Sequence, residues 1–381
     1  MLRNYELSWD TYPKAGHLDN YPSIDYFCIH VLIAPAEVSL EDHYMSEQSA
    51  QHYPLPDISS IEYSFNKAEW FTYTEPITVT DHVYFRGSPV IQNPLNPEDP
   101  TDLIPAWSNF GGQSRRFKVT RPFYVSGKIS SLIDKNLTGN VSLPYYGFNN
   151  LFASGSVYAN YLYDAQYLLL DYDDLGINNW WFSITIDGMY AGMFAGCENL
   201  AHAPALPATK LGACCYSYMF QGCSKLVTAP EIKATKLTQG CCEDMFSGCT
   251  SLTTPPKMAN SVEINLLEGS QSIDCWIWFV EMFRYCNNLQ YTPRLPIITN
   301  AIIEQGHSTI WYPAQGIFNQ CNVIISDTQS EETPYLIRIP ASGTQENLPK
   351  NIPVINTAGT NPIYMSVNTD YYCNLPMLPT E

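Results

Sequence analysis

The residues MFAGCENLAHAP at 193–204 decide the fold, because the chain restates them as MFQGCSKLVTAP at 219–230, MFSGCTSLTTPP at 245–256 and MFRYCNNLQYTP at 282–293. The copies begin at 193, 219, 245 and 282, so two spacings of 26 precede one of 37, and a worn fifth copy, IFNQCNVI, occupies 317–324. Self-similarity at a fixed period of this size marks stacked units, each one too small to bury its apolar face alone. Like positions then pack on like positions and share one core. Those positions are Met193, Phe194, Cys197 and Leu200; Met219, Phe220, Cys223 and Leu226; Met245, Phe246, Cys249 and Leu252; Met282, Phe283, Cys286 and Leu289.

The spacing in YSYMFQGC at 216–223 predicts a short helix, since apolar residues three and four apart share a helix face. The stretch after each cysteine ends at Pro204, Pro230, Pro256 or Pro293 and predicts a short strand, because proline neither continues a helix nor donates to a ladder. The expected fold class is α+β. A β-rich N-terminal domain, a small antiparallel sheet or sandwich, leads into a leucine-rich-repeat solenoid with one helix and one strand per repeat. A β-rich C-terminal cap or arm follows.

The segment LGACCYSYMFQGCSKLVTAPEIKATKL at 211–237 resembles the BspA-like leucine-rich repeats of gut-bacterial surface proteins and of the phages that infect those bacteria. IEYSFNKAEWFTYTEPITVTDHVYFRG at 61–87 resembles the β-rich segment preceding such repeats, and the likeness extends over about 61–325. It implies a scaffold that hosts many partners, so it bears on fold more than on activity. The expected divisions are an attachment segment at 1–60, a β-rich domain at 61–128, the repeats at 129–325 and a cap or arm at 326–381.

With 37 acidic residues against 19 basic ones, the net charge is −18, which repels nucleic-acid phosphates and anionic membranes. No apolar run is long enough to span a bilayer, and the N-terminus shows no basic start followed by an apolar core. The twelve cysteines include five in one register (197, 223, 249, 286, 321) and the vicinal pairs 214–215 and 241–242. Trp278 stands where Cys215 and Cys241 stand in earlier units, and tryptophan can neither ligate a metal nor bridge. The set therefore reads as buried thiols packed as small hydrophobes.

No nucleophile-elbow, phosphate-loop or zinc-protease pattern occurs, and the seven histidines are scattered. DYDDLG at 171–176 lacks the calcium-loop spacing and reads as a solvated turn. No catalytic, cofactor or metal residue is expected. Trp276 and Trp278, in the irregular fourth unit, read first as core and second as a binding surface. The expected function is that of a non-enzymatic virion protein (head fibre, decoration or tail appendage) partnering other virion proteins and/or a host surface protein or glycan. It is expected in the virion, as a homo-oligomer or part of a larger assembly, without nucleic-acid binding or membrane insertion. The alternatives are an extracellular bacterial adhesin whose leader has been removed and, third, a carboxylate hydrolase.

Overall fold

In a computed structural model, the structure describes residues 25–43, 58–74, 76–92, 98–99, 101, 103–105, 114–139, 147–154, 161–172, 174–175, 188–238, 240–264, 279–295, 297–300, 317–326, 328–332, 334–338, 352–355, 362–365 and 370–379. Segments rich in aromatic and aliphatic residues form β1 (Phe27–Val31), β3 (Glu62–Ser64), β4 (Phe71–Thr72), β6 (His82–Arg86), β10 (Phe123–Lys128) and β11 (Leu162–Leu169). They make one six-stranded sheet in the order β11-β10-β1-β6-β3-β4, antiparallel except for the β10–β11 pair. Strands β2 (Ala36–His43), β5 (Ile77–Val79) and β9 (Ser114–Val119) form a three-stranded antiparallel sheet, and β7 (Val90–Gln92) pairs antiparallel with β8 (Leu103–Pro105). The two sheets meet through ring pairs, Phe27 with Phe117 at 5.1 Å and Phe85 with Phe117 at 5.0 Å. Residues 25–43, expected within an attachment segment, thus supply the central strand β1 and the central strand β2. Likewise β11 lies beyond residue 128 yet belongs to the N-terminal sheet.

The expected α+β solenoid is not what the chain builds. There is no α-helix among the described residues; the sheets are variously mixed, antiparallel and parallel and do not close into a solenoid. Where helices were expected, the chain runs through successive four-residue turns. In the unit at 188–197, the N–H groups of Ala191, Met193, Ala195 and Cys197 donate to the carbonyls of Gly188, Tyr190, Gly192 and Phe194, three residues back. The intervening N–H groups, those of Tyr190, Gly192, Phe194 and Gly196, donate to Cys215, Ser217, Met219 and Gln221 in the next unit. Half of the backbone bonding is therefore local and half passes between units, which satisfies every second amide without an i→i−4 ladder. Each fourth residue has positive φ: Gly188, Gly192 and Gly196, then Cys214, Tyr218 and Gly222, then Gly240, Asp244 and Gly248. That conformation is excluded from an α-helix of L-residues. The four-residue period returns the same side chains inward and so imitates helical spacing.

The strands after the turns are short. β12 (Asp174–Leu175), β13 (Lys210–Leu211), β14 (Lys236–Leu237), β15 (Ser261–Ile264) and β16 (Ile297–Asn300) lie side by side in parallel. Inside, Phe152, Phe194, Phe220, Phe246, Phe283 and Phe318 form a column with centroids 5.4–5.9 Å apart and nearly parallel rings. The column begins in the sandwich core, where Phe152 meets Phe27 at 5.9 Å, so both parts share one continuous apolar interior. In the fifth unit Val323, rather than Ile324, is the buried residue after the cysteine. At the C-terminal end, β17 (Ile325–Ser326) and β18 (Tyr335–Arg338) each pair antiparallel with β21 (Asp370–Cys373), and β19 (Ile352–Ile355) pairs antiparallel with β20 (Pro362–Met365). Leu378 donates its N–H to Thr292, and Arg294 Nε donates to the Leu378 carbonyl at 2.7 Å, so this tail packs back onto the fourth unit.

Candidate recognition surface

All sixteen repeat-core residues, Met193 to Leu289, are buried. Each register cysteine adds a contact that sequence reasoning did not foresee. Its thiol donates to the phenylalanine carbonyl of the preceding unit: Cys197 to Phe152 (3.3 Å), Cys223 to Phe194 (3.2 Å), Cys249 to Phe220 (3.1 Å), Cys286 to Phe246 (3.1 Å) and Cys321 to Phe283 (2.7 Å). The carbonyl of Phe194 also accepts the Cys197 N–H, so both of its lone pairs are used. Burial pushes the Cys223, Cys249, Cys286 and Cys321 thiols up, Cys321 to about 12. The eleven described cysteines are free thiols, and among the described residues no group of three or more His, Cys, Asp or Glu side chains is placed to hold a metal ion. No described helix is long and apolar enough to cross a membrane.

While the inward positions repeat, the outward positions on the same turns change. The residue before each methionine is Gly192, Tyr218, Asp244 and then Glu281; the residue two after each phenylalanine is Gly196, Gly222, Gly248 and then Tyr285. All eight have positive φ, and the non-glycine members lie between 49° and 61°. Glycine adopts this conformation freely, whereas tyrosine, aspartate and glutamate hold it at a cost. On this face Tyr218 and Tyr285 are 38% and 43% exposed, unlike the buried rings of the column.

The face is tied together by its own polar contacts. Arg284 Nη1 donates to Glu281 at 2.6 Å, and its guanidinium lies 4.9 Å from the centre of the Tyr285 ring. Asn319 Nδ2 donates to the other Glu281 oxygen at 3.0 Å. Partial burial holds Glu243 and Asp244 above the usual carboxylate range, opposed next by hydrogen bonds with the Tyr218 and Ser247 hydroxyls and helped less by the neighbouring carboxylates. Burial, helped by Glu243 and Asp244, also raises the Tyr218 hydroxyl. Trp276 and Trp278, the expected binding surface, lie outside the described residues.

A second polar cluster went unread because its members are far apart in sequence. His30 Nε2 lies 2.7 Å from Ser126 Oγ on the outer face of the six-stranded sheet, and the His30 ring stacks on Tyr124 at 4.4 Å. The arrangement resembles a serine–histidine nucleophile pair. However, His30 is 3% exposed, and burial, followed by the field of His82, pushes its ring down to about 3. Such an imidazole is a weak base sealed from solvent, so the pair serves the sheet. Asp171, in the turn considered for calcium, accepts the Ser130 N–H at 3.1 Å.

Compared with family models, with curated proteins and with solved structures, the chain gives no match.

Proposed function

We propose that this chain is a non-enzymatic structural and recognition component of a phage particle, such as a head fibre, decoration protein or tail appendage. The observation that carries the recognition part is the contrast across each turn. The inward positions keep Met-Phe and Cys while the left-handed positions on the same turns vary, from a covered Gly192 to Tyr218, Asp244 and Glu281, which reach the surface. A scaffold held constant beneath a varied surface is what a display protein needs, as function is grafted onto the site and not read from the fold. The partners in this reading are other virion proteins and/or a host surface protein or glycan, with the chain working as a homo-oligomer or inside a larger assembly.

The phage setting rests on the resemblance of the repeats to BspA-like repeats and gains support from the cysteines. Eleven described thiols are free, and vicinal Cys241 and Cys242 lie side by side in the interior. Chains carrying many unpaired thiols fold most safely in a reducing compartment, such as the host cytoplasm where particles assemble, and not along an oxidising export route. Mass spectrometry of gradient-purified particles, with immunogold labelling of the same preparation, tests this. Stoichiometric recovery and labelling at a defined position are expected. Recovery in the host envelope fraction, with none in particles, rejects the reading in favour of an exported adhesin.

A further inference from the structure

We infer that the face running from Tyr218 to Tyr285 binds an uncharged linear oligosaccharide laid across the units. This deepens the recognition reading above and rests on it. Two exposed tyrosine rings stand two units apart, and a tyrosine face carries the partial negative charge that attracts the C–H side of a pyranose. Between them lie Glu243, Asp244, Glu281 and Arg284, acceptors and a donor of the kind that sugar hydroxyls bridge. Glu281 is engaged by Arg284 and Asn319, Asp244 by Ser247 and Glu243 by Tyr218. These carboxylates are thus oriented acceptors already balanced by neighbours, better suited to neutral hydroxyls than to a polycation.

Spacing gives a further reason. The units repeat at 5.4–5.8 Å along the phenylalanine column, close to the length of one sugar residue in an extended chain. A linear glycan lying along the stack would therefore present one sugar to each unit. Tyr218 and Tyr285 would cover the two ends of a stretch of about three sugars, one for each unit crossed. Tyr285 occupies a position where the three preceding units carry glycine, and Tyr218 one where the preceding unit does, so these rings add surface and cost backbone freedom. Pinning by Arg284 and Glu243 fixes both rings before a ligand arrives, which lowers the ordering cost of binding.

The test is calorimetric titration of the full chain with uncharged gluco-, manno- and galacto-oligosaccharides of increasing length, backed by a glycan array. Affinity should rise with chain length and level off near three sugars. Tyr218→Gly and Tyr285→Gly, chosen because glycine suits their backbone, should each weaken binding about tenfold or more while the melting temperature holds or rises. Absence of binding to every uncharged glycan overturns the inference, as does binding that survives both substitutions, or binding to basic proteins alone. A protein found in particles that ignores all these sugars overturns this inference and leaves the virion reading standing. A sugar binder absent from particles does the reverse.

Discussion

The Cys249 thiol donates to the carbonyl oxygen of Phe220, 3.1 Å away in the preceding unit. The same carbonyl takes the N–H of Cys223, so one backbone oxygen joins a turn to itself and to its neighbour. This double use explains why the position holds cysteine. A valine would fill the space and leave a buried lone pair unmet; a serine would meet it at the greater cost of burying a hydroxyl.

Alkaline pH should therefore destabilise the protein through its buried thiols. Burial raises Cys223, Cys249 and Cys286 far above the unfolded thiol value, and Cys321 to about 12. The unfolded chain then loses its thiol protons first, near the free-thiol value of about 8.5. Stability is fully present below that pH and is lost as pH rises from there toward the folded values, by up to about 1.4 kcal/mol per pH unit for each such thiol. Urea titrations at pH 7.5, 8.5 and 9.5 should show falling midpoints. Native protein at pH 8 should leave the fully buried thiols unlabelled by a thiol reagent, and unfolding without reductant should expose twelve.

Phe220→Ala should remove about 3–5 kcal/mol. The ring is fully buried and stacks on Phe194 at 5.4 Å and on Phe246 at 5.5 Å, so the cavity opens in the middle of the column. Chemical denaturation of the variant checks it. A loss under about 1 kcal/mol, typical of surface sites, would show that the column does not bear the load assigned to it.

The repeats, their register and their inward residues were legible because identical side chains must stack for such short units to be stable. The local backbone was not. Tyr216, Met219, Phe220 and Cys223 satisfy a helical spacing as well as a four-residue turn period, and periodicity cannot tell the two apart. The discriminating sign lay in the glycines at 188, 192 and 196 and again at 240 and 248, every fourth residue through a supposed helix. The recognition face was less legible still. Tyr218 and Glu281 sit beside core residues in sequence, and only the positive φ reveals that they turn outward. The His30–Ser126 contact joins residues 96 apart, beyond the reach of local patterning.

The link between the N-terminal sheet and the first repeat should weaken as pH rises through the titration of His202. His202 Nδ1 pairs with Asp164 Oδ2 at 2.9 Å, and the backbones meet where Ala165 N–H donates to the His202 carbonyl. The hydrogen bond to Asp164, opposed by partial burial, raises the imidazole above its ordinary value. The contribution is therefore fully present below about 6.5 and is lost as pH climbs through the higher folded value. With the His202 side chain 48% exposed, the effect should fall within the 0.2–1 kcal/mol measured, roughly, for exposed pairs. His202→Gln should flatten that part of the stability profile, read by thermal melts between pH 5.5 and 8.

The turn ribbon can be tested by exchanging residue types at its positive-φ positions. Gly222 has φ +74°, and a Cβ there would meet Gly196 Cα at 3.5 Å, an ordinary contact. Gly222→Ala should therefore cost only the left-handed backbone penalty, about 1–2 kcal/mol. Tyr218, at φ +58°, already bears that penalty. Tyr218→Gly releases it but also frees the unfolded chain, an opposing loss of about 0.4–1 kcal/mol, so stability should stay level or rise by less than about 1 kcal/mol. In a helix the two substitutions would reverse, since alanine favours and glycine disfavours a helix interior by about 1 kcal/mol. Paired denaturant titrations thus separate the ribbon from a helix by sign alone: Gly222→Ala below wild type with Tyr218→Gly level or above it fits only the ribbon.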